Sequence, residues 1–116
     1  MAFYETTFIV RQDVSANELS GIIESAEKAA QDANAKIIKK EKWGLLSLAY
    51  PIKKNFKGHY VHFGLEGEAS LPAVMEKEFR RQIDSVIRHL TVLVDFIGEG
   101  ESHVLRANAR GTEGNN

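Results

Sequence analysis

Six cations stand out as residues that act together. Lys53, Lys54 and Lys57 crowd one short segment, and Arg80, Arg81 and Arg88 crowd another. Such groups suit phosphate: lysine as a compact point charge, arginine as a planar fork that engages two oxygens. The other reactive types do not assemble. His59 and His62 are three apart in a strand-like run, so they point to opposite faces and cannot chelate one ion. His89 and His103 have no ligand partner nearby in sequence, and no metal or other cofactor is expected. Glu76 and Arg80, at helical spacing, read as a surface ion pair. No local motif brings a serine to a histidine and an aspartate. The Gly98-Glu99-Gly100-Glu101 stretch is acidic and would repel the phosphate that a glycine loop cradles. The reading is of a binding protein with no catalytic site.

The net charge of −1 over 116 residues conceals a polarity along the chain. Residues 36–57 hold seven lysines against Glu41, a balance of +6 that leaves −7 for the remainder. A basic segment on a near-neutral domain points to a local polyanion contact; the competing reading is an edge strand that lysines guard against aggregation. The length suits one domain with a single core. There is no cysteine, hence no disulfide framework and no thiolate metal site. The start, Met1 to Glu5, has neither the basic nor the apolar region of a signal peptide, and Leu90 to Ile97 is too short to span a bilayer. A soluble cytosolic protein is expected.

The elements that must position these cations follow from periodicity. Phe3 to Val10 alternates as a strand. Ser15 and Glu18 form a capping box, with Val14 and Leu19 as its hydrophobic staple. Leu19, Ile22, Ile23, Ala26, Ala30 and Ala33 then make one apolar helical stripe that ends at Asn34, a left-handed terminator. Residues 35–49 read as a long strand kinked at Gly44, with Pro51 ending its ladder. Lys53 to Lys57 read as an exposed turn, and Gly58 to Glu66 as a third strand. Ser70 caps a second helix with Pro72 in its first turn and Leu71, Val74, Met75, Phe79 and Ile83 as its buried stripe. Val86 to Ile97 is the fourth strand. The order β-α-β-β-α-β predicts an α+β, ferredoxin-like split β-α-β: a four-stranded antiparallel sheet with two helices on one face. Phe3, Ile9, Tyr60 and His62 are left on the open face. The domain is expected over residues 1–98, and 99–116 as a flexible polar tail.

Several separated segments, in this order, resemble the bacterial small-subunit ribosomal protein six family over residues 3 to about 97. Tyr4-Glu5 fits its opening strand. Gly44 and Leu48-Ala49-Tyr50-Pro51-Ile52-Lys53 fit its signature, and Gly58-His59-Tyr60 its third strand. Glu78-Phe79-Arg80-Arg81, Asp84, Val86 and Arg88 fit the end of its second helix and the turn beyond. The chain departs from the family at Leu46, where a basic residue is usual, and in lacking the acidic C-terminal run of some members. The resemblance implies a structural component of the small ribosomal subunit. It also implies binding to the central domain of small-subunit ribosomal RNA, in a heterodimer with ribosomal protein eighteen. On this reading Lys53, Lys54, Lys57, Arg80, Arg81 and Arg88 meet RNA phosphates. Leu46, Leu48, Tyr50, Tyr60 and His62 meet the partner protein. Two other readings use the same open face: a regulatory domain that binds a small molecule, and a single-strand binder of the RNA-recognition-motif kind. For the latter, Lys57 to Phe63 is one residue short of the expected signature and its aromatics fall out of register.

Overall fold

Alternation and capping set the elements of the computed structural model, which describes residues 1–97. They run β1 (Ala2–Arg11), α1 (Ala16–Asp32), β2 (Lys36–Ile52), β3 (Asn55–Gly67), α2 (Leu71–Arg81) and β4 (Val86–Val94). The strands form one sheet in the order β2-β3-β1-β4, antiparallel at every contact. This is the ferredoxin-like split β-α-β. The 99–116 tail expected from composition lies outside the described residues.

The strand period of two sorts each residue to a face. From β1, Tyr4, Phe8 and Val10 enter the core; from β3, Val61, Phe63 and Leu65 join them. The helices close over these with Ile22, Ile23, Ala26 and Ala30 from α1 and Leu71, Met75 and Phe79 from α2. Phe8 is the hub, edge-on to Phe63 at 5.6 Å and tilted on Phe79 at 4.7 Å. The alanines of α1 let the helix approach the sheet closely.

Local chemistry fixes the ends. Ser15 Oγ accepts from the Glu18 N–H at 3.1 Å, as the capping box requires. Asn34 takes φ 63° and ends α1 in the left-handed region. The cap at Ser70 differs from expectation: its backbone is already helical and its side chain makes no capping bond. Ile83 also differs, because α2 stops at Arg81 and leaves it 57% exposed.

The β2–β3 connection is tighter than the sequence suggested. Pro51 does not end the strand: β2 continues to Ile52, although its ladder is irregular between Ser47 and Ile52. Ile52 pairs with Asn55, leaving Lys53 and Lys54 as a two-residue turn with φ 48° and 68°. Positive φ at both positions is the hairpin geometry that follows the twist of the strands. The third strand therefore starts at Asn55, three residues before Gly58. The fourth ends at Val94, short of Ile97. Beyond it the chain turns back over the sheet, and Ile97 lies against Gly64 on the face away from the helices.

Candidate nucleic-acid interface

The far end of the β2–β3 hairpin reaches across the molecule to the start of β4. Arg88 sits over the Tyr50 ring, 5.5 Å from its centroid, and its Nη1 donates to the Tyr50 hydroxyl at 3.1 Å. This contact joins the outermost strand on one side to the outermost on the other. It also brings Lys53 to the end of α2. Lys53, Arg80 and Arg88 share the rim of a hollow of about 270 Å³ floored by Phe79, Ile83, Val86 and Ile87. Lys54 and Lys57 are exposed on the same hairpin. Arg80 meets Glu76 at 2.9 Å, but both side chains are mostly in water, so the pair holds it weakly.

Arg81 is differently placed from the other expected RNA contacts. It grips Glu78 with Nε at 3.2 Å and Nη2 at 2.8 and 3.0 Å from the two carboxylate oxygens, and also donates to Ser25 Oγ at 2.7 Å. Ser25 and Gln82 donate to the same carboxylate at 2.7 and 2.6 Å. Burial opposes the charge on Glu78. The hydrogen bonds from Arg81, Ser25 and Gln82 and the charge of Arg81 outweigh it and hold the carboxyl below its usual range. The arginine thus joins α2 to α1: its side chain is 62% exposed, but its donors are engaged by Glu78 and Ser25.

The residues expected to meet a partner protein divide as well. Tyr50 is exposed, while Leu46 and Leu48 are half-buried, the latter beside Gly58. Tyr60 is half-buried, and its burial raises its hydroxyl above the usual value against the lowering charge of Arg88. His62 corrects the expectation of an exposed ring: it has no accessible surface. Trp43 stacks over it at 5.3 Å and over Tyr60 at 6.0 Å. Beneath, Thr7 Oγ1 bonds Nδ1 at 2.9 Å, and Glu5 Oε1 stands 3.4 Å from Nε2. Burial pushes the His62 pKa down, against the raising charges of Glu5 and Glu41.

Sequence reading missed Trp43. It occupies the bulge where the register slips between Lys42 and Gly44, and Gly44, at φ 90°, turns it onto the open face. Its indole N–H donates to Glu41 Oε1 at 3.2 Å. The kink read at Gly44 was the available signal. Farther along the open face, Thr7, Ile9, Tyr60, Arg88, Leu90 and Val92 border a trough of about 220 Å³. Among the described residues no three metal-ligating side chains converge, and no helix is long and apolar enough to cross a membrane.

Comparison with known proteins agrees with this fold. Residues 3–93 match ribosomal protein S6 as a family. The small ribosomal subunit protein bS6 of Rickettsia felis is 41% identical over 106 residues, 91% of this chain and 87% of that one. Its counterpart in Rickettsia rickettsii is 42% identical over the same shares. The crystal structure of 30S ribosomal protein S6 from Thermotoga maritima superposes with a TM-score of 0.75 at 24% identity, covering 97% of each chain, and so shares the fold. With a match across most of its length and relatives above 40% identity, the chain belongs to the ribosomal protein S6 family.

Proposed function

We propose that this chain, a structural protein of the small ribosomal subunit, holds the central domain of small-subunit ribosomal RNA through the cations at its hairpin end. We further propose that it does so as a heterodimer with ribosomal protein eighteen. The carrying observation is the convergence of Lys53, Arg80 and Arg88, from three separate parts of the chain, on one hollow. Three cations on a concave rim, with Lys54 and Lys57 beside them, match a bent phosphate backbone by charge and shape. Arg88 is steadied by Tyr50, so less side-chain freedom is lost when it meets a phosphate. With a net charge of −1 the chain alone attracts RNA weakly. A second protein bound to the same RNA raises the effective concentration of each contact. The exposed apolar part of the open face, Leu90 and Val92 with Tyr60 beside them, suits that protein. No catalytic role is proposed, and the work is done on the ribosome, in the cytoplasm.

The test is sedimentation of lysate from cells that carry a tagged chain. The wild-type chain migrates with the small subunit at low and high magnesium. A Lys53→Ala, Arg80→Ala, Arg88→Ala variant, folded by circular dichroism, shifts toward the top of the gradient. Full retention of that variant on the subunit would contradict the RNA assignment.

A further inference from the structure

The turn that presents Lys53 and Lys54 has a conformation these residues do not choose. Both have left-handed backbone, φ 48° and 68°, where asparagine and glycine are at home and lysine is uncommon. The lysine charges also repel one another. Other residues must therefore hold the turn, and two do. Asn55 is 8% exposed and uses every polar atom of its side chain. Its Nδ2 donates to the Ile52 carbonyl at 3.2 Å and to the Lys53 carbonyl at 3.1 Å, across the turn itself. Its Oδ1 accepts from the Gln12 backbone N–H at 3.0 Å, just past the end of β1. Gln12 returns the contact: its Oε1 accepts from the Phe56 N–H at 3.2 Å and the Lys57 N–H at 3.1 Å. Asn55 thus closes the turn on itself at the Ile52 and Lys53 carbonyls, and three bonds with Gln12 tie Asn55, Phe56 and Lys57 to the end of β1.

We propose that Asn55 and Gln12 are the positioning residues of the RNA contact. They fix the backbone under Lys53, Lys54 and Lys57 before RNA arrives, so that three ammonium groups meet phosphates at a set spacing. Neither side chain touches RNA in this account. The inference rests on the RNA reading above, since a prearranged cation turn matters only if an anion is its ligand. Without the two amides the hairpin end swings, and the ordering it requires is then charged against binding.

The test is a double-mutant cycle on the full chain with protein eighteen, titrating central-domain RNA at several salt concentrations. Asn55→Ala should weaken binding roughly five- to tenfold and make the salt slope shallower by about one, as lysines drop out of phosphate register. Added to Lys53→Ala, Lys54→Ala, Lys57→Ala, the same change should cost nothing further. A purely structural role would give the same loss in both backgrounds and leave the salt slope alone, and either result overturns positioning. Gln12→Ala keeps its backbone N–H and should act in the same direction more mildly, so it serves if Asn55→Ala unfolds. Should the triple lysine variant itself bind RNA as wild type does, the RNA reading fails and not merely the positioning.

Discussion

On the proposed reading, neighbouring arginines at the end of α2 do different work, and substitution separates them. Arg80→Glu should weaken RNA binding and leave the urea midpoint in place, since its side-chain partner among the described residues is the exposed Glu76. Arg81→Glu removes charge-assisted bonds from a buried carboxylate and sets two acids together. A stability loss of about 1–3 kcal/mol is expected by chemical denaturation. A fully stable Arg81→Glu chain would contradict the assigned role of Glu78. A second residue-scale outcome concerns His62. Its folded pKa lies below the ordinary 6.5, so the folded protein resists a proton that the unfolded chain accepts. Its contribution is present above pH 6.5 and is lost as pH falls below that toward the folded value. Replacing His62 by Gln should flatten that stretch of the stability curve. The loss due to Glu78, also held low, falls in the carboxylate range and should remain. An unchanged curve in His62→Gln would show that the ring does not titrate in the unfolded state alone. Sequence made the cations visible at this scale but not their partners: Arg80 and Arg81 look alike until Ser25, 56 residues away, appears beside one of them.

The elements were legible where one local rule decides. Ser15 to Glu18 and Asn34 announced α1 correctly because capping depends on neighbours in sequence. β2 was harder because its end is set by pairing, which carried the ladder past Pro51 to a lysine turn that no turn preference announces. Ile83 was read as buried because it continues a helical period, and the helix stops first. Trp43 escaped because a bulge shifts the face of everything before it by one residue. That bulge can be tested. A Cβ at Gly44 meets no atom within 4 Å, so Gly44→Ala probes backbone strain alone at φ 90°. A loss of about 1–2 kcal/mol is expected, with a shift in Trp43 fluorescence as its stack on His62 loosens. At Gly58 the obstacle is steric: a Cβ would collide with Ile9 Cγ2. Gly58→Ala should cost about 1–3 kcal/mol in urea melts. Equal stability of both variants to wild type would mean that neither the bulge nor the β1–β3 approach is fixed as described.

At the scale of the whole molecule, the sheet order explains why a hairpin from one edge meets β4 at the other. The outer strand β2 is long enough for its end to bend over the sheet, and Tyr50 to Lys53 is the part that arrives. Element order carried the fold, and the clustering of charge the choice of cations, in advance. The hollow they share was not legible, because it depends on how far that hairpin bends. The central claim is that Lys53, Arg80 and Arg88 act together on one stretch of phosphate backbone. It is tested most directly by the salt dependence of RNA binding by the chain with protein eighteen, wild type against the triple alanine variant. The account predicts a slope of log affinity on log salt that is shallower by about two to three in the variant, one step per lost phosphate contact. An unchanged slope, at any affinity, would contradict it.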